Sequence, residues 1–130
     1  HARAYGMALG LAFQLVDDAL DYGGSAADLG KDTGDDLREG KITLPVILAI
    51  RRGKPEDREF WSRCLEERDV REGDLDRAIA IMRETGALSE TVERARAFGA
   101  EALDALRGLP ASGQREALAE AVDFCIARVN

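Results

Sequence analysis

The chain has 130 residues, Lys+Arg 18 against Asp+Glu 25, a net charge of -7 and 5% aromatic residues. That is one domain's worth of chain, or part of a larger one, and its acidity argues against sequence-independent nucleic-acid binding, which needs clustered cations. No long uninterrupted apolar run is present, so no transmembrane span is expected.

Ala, Leu, Arg and Glu dominate, a composition that favours helices. The start, HARAYGMALG, has no signal-peptide layout and no initiator Met. A chain that begins inside a longer, cytoplasmic protein is expected. The first predicted helix runs from about Ala2 to Tyr22, with Met7, Leu11, Leu15 and Ala19 on one stripe and Leu9, Phe13, Val16 and Leu20 widening it. A helix apolar almost all round implies burial in a bundle. Gly6 and Gly10, four apart, allow close approach of another helix.

Residues 23–42 read as a loop, with possible short helical turns at 26–29 and 35–38. Thr43 is an expected N-cap and Pro45 falls in the first turn of the next helix, which ends near Gly53. Pro55 opens a helix with Phe60, Trp61, Cys64 and Leu65 on its apolar side. Asp74 is expected to cap another, with Leu75, Ala78, Ile79 and Met82 inward and Gly86 closing it. Ser89 is expected to cap a longer one, ended by Gly108 and Pro110. Ser112 opens the last, with Leu118, Ala121, Val122, Cys125, Ile126 and Val129 facing in. No alternating strand pattern of useful length occurs, so the fold class is all-α. Cys64 and Cys125 read as small core residues rather than a disulfide pair. Trp61 reads as a packing residue, and Glu66 to Glu72 as solvated mixed charge.

The chemistry concentrates between Phe13 and Pro45, where Asp17, Asp18 and Asp21 precede a second cluster, Asp32, Asp35 and Asp36, accompanied by Lys31 and Lys41. Spacings of three and four place Asp17, Asp18 and Asp21 on one helix face. Acidic residues at a helix C-terminus oppose its dipole, and clustered like charges need a neutralising cation. Carboxylates suit Mg²⁺, which is held by one or two of them together with waters and substrate phosphates. Lys31 and Lys41 can reach phosphate oxygens as point charges, and Gln14 can donate from the same face. An ordinary solvated helix end is the plainer alternative for DDALD taken alone.

Residues 10–22, GLAFQLVDDALDY, resemble the second aspartate-rich motif of the trans-isoprenyl diphosphate synthases, the polyprenyl synthetase family. Leu29-Gly30-Lys31 and the run GDDLREGKITLP over 34–45 resemble the segment that follows it, most closely in the long-chain octaprenyl and decaprenyl enzymes that make quinone side chains. Gly86-Ala87, the break at 109–112 and the final Ala127-Arg128 resemble the family's C-terminal part. The resemblance implies the C-terminal part of an isoprenoid-synthase-type helical bundle, with 1–130 as a single all-helical fragment. It implies an enzyme that condenses isopentenyl diphosphate with an allylic diphosphate to give an all-trans polyprenyl diphosphate. Asp17, Asp18 and Asp21 would then ligate Mg²⁺. Asp17, Lys31 and Lys41 would be catalytic, and Gln14, Lys31, Lys41 and Arg128 would bind diphosphate. In the family the first aspartate-rich motif lies upstream of the position of His1, so the isolated chain is expected to be inactive. A homodimer, or self-association through the apolar first helix, is expected. A non-catalytic accessory subunit of a prenyl synthase is the rival reading, against which the intact DDALD and both lysines argue.

Overall fold

The computed structural model describes residues 1–23 and 34–129, and all regular structure among them is helical. The first helix, α1 (Ala2–Leu20), buries Tyr5, Ala8, Ala12, Val16, Ala19 and Leu20. This inner stripe differs from the one predicted: Met7 is 64% and Leu11 41% exposed. The reason lies in the partner. α1 packs chiefly along α6 (Ala87–Leu106), whose own inner face includes Ala95 and Ala102. Ala12 and Ala95 share one core cluster, and Ala8 and Ala102 a second. Small side chains on both helices permit a short axis-to-axis distance, which the larger Met7 and Leu11 would prevent.

The last helix, α7 (Gly113–Ala127), closes over this pair. Ser112 caps it as expected, its hydroxyl accepting the Arg115 N–H at 3.1 Å. The Tyr5 hydroxyl donates to the Leu118 carbonyl at 2.8 Å and ties α1 to α7. Gly99 makes room for α7, because a Cβ there would lie 2.9 Å from Ile126 Cγ1. Cys125 and Cys64 are buried free thiols. Burial raises both, Cys64 to about 11.

The segments between α1 and α6 complete the core. Residues 35–38 form the short α2 (Asp35–Arg38), as expected, whereas the turn expected at 26–29 lies outside the described residues. The helix α3 (Leu44–Arg52) has Pro45 in its first turn and packs on α6 and on α5 (Asp74–Thr85). Thr43 stands at the N-cap, but its buried hydroxyl makes no capping bond. The helix expected from Pro55 is broken into a 3₁₀ turn (Pro55–Asp57), α4 (Arg58–Trp61) and a π turn (Ser62–Glu66). The π turn closes on a bond from Glu67 N–H to the Ser62 carbonyl. Phe60, Trp61 and Cys64 are all buried on this short segment, the two rings edge to face at 5.0 Å.

Two expected caps are corrected. Gly73, at φ 87, is the N-cap of α5, and Asp74 is its first residue. The Asp74 carboxylate turns back to accept the Arg71 N–H at 2.7 Å and pairs with Arg63 at 2.7 Å. Ser89 lies within the first turn of α6, which begins directly after Gly86, and its hydroxyl donates to the Gly86 carbonyl. Gly86, at φ 72, ends α5 and starts α6, so no residues remain for a separate cap.

Overpacking the α1–α6 seam tests this account. Ala12→Leu is expected to cost about 1–3 kcal/mol in urea unfolding, and Met7→Gln at most about 0.5 kcal/mol. A pH dependence follows from Asp74, held down at about 2 chiefly by the Arg63 hydrogen bonds, against an ordinary 3.8. A depressed carboxylate contributes stability that is complete above its unfolded value and lost as pH falls through the folded one. The melting temperature is expected to drop between about pH 4 and pH 2, with a shallower slope in Asp74→Asn.

Candidate functional site

The outward face of α1 runs from Met7 through Leu11 to Gln14 and Asp17, all exposed, with Asp18 half-buried beside them. An apolar stripe thus leads into a polar and acidic end on a single helix face. The α1–α6 seam sets this orientation by consuming the opposite face.

Asp21 behaves differently. It is only 2% exposed. Its Oδ2 accepts the Asp36 N–H at 2.9 Å and its carbonyl accepts the Gly34 N–H at 2.8 Å. Asp21 therefore anchors the chain that enters α2. A carboxylate accepting a backbone N–H forms a charge-assisted bond, stronger than a neutral one. Asp21 is thus buried against the backbone of α2, whereas Asp17 is exposed and Asp18 half-buried. Among the described residues no group of three or more His, Cys, Asp or Glu side chains is arranged to hold a metal ion.

Lys41 lies at the far end of the same loop. Its N–H donates to the Asp36 carbonyl at 2.9 Å. Its ammonium sits 3.3 Å from Glu39 Oε2 and 3.6 Å from Asp36 Oδ1, with the side chain largely in solvent. The hydrogen bond to Glu39, then the charges of Glu39 and Asp36, raise its pKa, so it stays a cation. Arg128, just beyond α7, brings its guanidinium to 2.9 Å from Asp17 Oδ1. Lys31 lies outside the described residues.

The structure thus joins Asp21, Asp36 and Lys41 into one chain of contacts, and Asp17 to Arg128. Two residues of the sequence motifs take roles that the motifs alone do not assign. Asp36 serves through its backbone as well as its carboxylate, its N–H donating to Asp21 Oδ2 and its carbonyl accepting the Lys41 N–H, which no side-chain pattern reports. Tyr22, fully buried, lies near Asp21, Asp36 and Asp18. Burial first, then those charges, push its phenol far above the usual range, so it stays protonated.

This helical arrangement has known counterparts. The family model described as Polyprenyl synthetase matches residues 1–82. The octaprenyl diphosphate synthase of Haemophilus influenzae is 43% identical over 114 residues, 88% of this chain and 34% of that protein. Among solved structures, a decaprenyl diphosphate synthase from Rhodobacter capsulatus superposes with a TM-score of 0.90 at 45% identity, covering 98% of this chain and 39% of the other. A polyprenyl synthase from Caulobacter crescentus, complexed with calcium and isoprenyl diphosphate, gives 0.87 at 49% identity, covering 98% of this chain and 39% of the other. The chain belongs to the polyprenyl synthetase family. It spans about a third of the length of the curated relatives it matches. No helix among the described residues is long and apolar enough to cross a membrane.

The division of labour among the aspartates is measurable as stability. Asp21→Ala leaves the Asp36 N–H without its acceptor and is expected to cost about 1–3 kcal/mol. Asp17→Ala removes a half-exposed ion pair with Arg128 and is expected to cost about 0–1 kcal/mol. Chemical denaturation of both variants checks the ranking.

Proposed function

We propose that this chain supplies the diphosphate-holding wall of a long-chain trans-polyprenyl diphosphate synthase. The observation that carries the reading is the outward face of α1, where Met7 and Leu11 lead to Gln14, Asp17 and Asp18. An apolar track ending in hard oxygen ligands suits a molecule with a prenyl tail and a diphosphate head. The names of the relatives, octaprenyl and decaprenyl diphosphate synthases, support long products over short ones.

A divalent ion fits the donors present. Asp17 and Asp18 offer carboxylate oxygens on one face, and Mg²⁺ takes few protein ligands, leaving positions for water and phosphate oxygens. We assign Asp17 and Asp18 to the ion, and Asp21 to the loop, since its Oδ2 already receives the Asp36 N–H. When bound, the ion offsets the negative charge that grows on a departing diphosphate.

The chain's own residues do the rest. Lys41 is a charged donor at the end of α2's loop; it and Lys31, ten residues earlier in the sequence, would pair with diphosphate oxygens where charge develops. Gln14 would donate to the same group. Arg128 shifts from Asp17 to the incoming phosphate. The overall reaction breaks the allylic C–O bond, forms a C–C bond to isopentenyl diphosphate, and releases a proton and diphosphate. Leu11 and the half-buried Phe13 provide apolar surface that keeps water from the allylic cation. The remaining family segments, and a second copy of the protein, would cover the exposed face of α1.

The test uses the full product of the natural gene, its intact mass and its Mg²⁺-dependent incorporation of isopentenyl diphosphate into long prenyl products. Asp17→Ala and Lys41→Ala are each expected to lower turnover by about 10²–10³-fold. A natural gene product that incorporates no isopentenyl diphosphate would overturn the reading and leave an accessory helical subunit.

A further inference from the structure

We propose that Arg63 and Asp74 are positioning residues for the loop that carries Asp36 and Lys41, holding it from below at a distance from any substrate. The functional half of this proposal rests on the diphosphate reading given above; the structural half does not.

Asp74 is 7% exposed at the start of α5. Arg63, in the π turn, meets it with two bonds of 2.7 and 3.1 Å. The same guanidinium donates to the Asp69 carbonyl at 2.8 Å, and the same carboxylate accepts the Arg71 N–H. One ion pair therefore ties together four residues of 63–74, Arg63, Asp69, Arg71 and Asp74. The loop between them includes Arg68 at φ 58, the one non-glycine residue with positive φ among those described. A left-handed arginine persists only where its surroundings fix it.

Residues 34–40 rest on this segment and on the start of α5, one contact at each end. A Cβ on Gly40 would lie 2.7 Å from Arg68 Cδ and 3.1 Å from the Leu65 carbonyl. A Cβ on Gly34 would lie 2.7 Å from Leu75 Cδ2. Both glycines also have positive φ, 86 at Gly34 and 70 at Gly40, so neither contact tolerates a side chain. Between them Leu37 is fully buried. Moving residues 65–75 thus moves 34–40, and with it the backbone of Asp36 and the start of Lys41.

A buried ion pair is weak evidence for stability, because a well-packed apolar pair is often as stable. Its geometric demand is the stronger argument. The planar guanidinium and carboxylate accept one mutual orientation, which an apolar pair does not impose.

The experiment measures amide hydrogen exchange in Arg63→Lys, which keeps charge and loses the fork, and in Asp74→Asn. The Asp36 and Lys41 amides are expected to exchange about tenfold faster, with the α6 amides unchanged. Binding of inorganic pyrophosphate with Mg²⁺ is expected to weaken about 10–100-fold, and Asp74→Glu to recover part of it. Unchanged exchange at Asp36 and Lys41, or equal acceleration in α6, overturns the proposal. Should Asp74→Asn fail to fold, Gly40→Ala presses on Arg68 with the ion pair intact; it must accelerate the same two amides, and if it does not the proposal fails. If the unsubstituted protein binds no pyrophosphate while exchange responds as expected, the diphosphate reading falls and the positioning role stands.

Discussion

Everything else in this structure depends on the close contact of α1 with α6. Two alanine-rich faces meet, and the tolerance of such a seam for extra volume is low. The contact uses the small residues of α1 and so rotates its larger ones, Met7 and Leu11, outward. It also decides which carboxylates of DDALD point out and which point in. A helix apolar on nearly every side has no preferred inner face until a partner selects one.

That rotation separates three aspartates that the primary structure presents as one cluster. Asp17 and Asp18 sit toward the open face, whereas Asp21 is buried and holds the backbone of α2. The separation is chemically reasonable. Three carboxylates on one face repel, and turning one onto a backbone N–H relieves part of that repulsion while fixing the second acidic segment. The loop bearing Lys41 is thereby held from above by Asp21 and from below by the segment that Arg63 and Asp74 fasten.

The two arginine–aspartate pairs near this region differ in kind. Arg128–Asp17 is half-exposed, with side-chain exposures of 32% and 51%. A pair of that type is worth about 0–1 kcal/mol, so Arg128 can leave Asp17 at little cost when something binds more strongly. Arg63–Asp74 is nearly enclosed, bidentate and joined by a backbone N–H, and its partners have nowhere else to go. The first pair suits exchange and the second suits permanence.

The amino-acid pattern alone determined the helical class, most helix positions and the family, because periodicity, prolines, the cap at Ser112 and a motif such as DDALD are local properties. It also marked Asp17, Asp18, Asp21 and Lys41, since charge set beside apolar sequence is visible without coordinates; Arg128 was singled out by the family resemblance alone. Local patterning failed where tertiary contacts compete with it. Gly73 displaced Asp74 as a cap because Arg63 drew that carboxylate elsewhere. The helix from Pro55 changed its winding as Phe60, Trp61 and Cys64 all turned into the core. Only the tertiary structure decided which face of α1 is buried and that Asp21 serves the backbone of Asp36. Those outcomes depend on partners far away in the chain, and no local spacing encodes them.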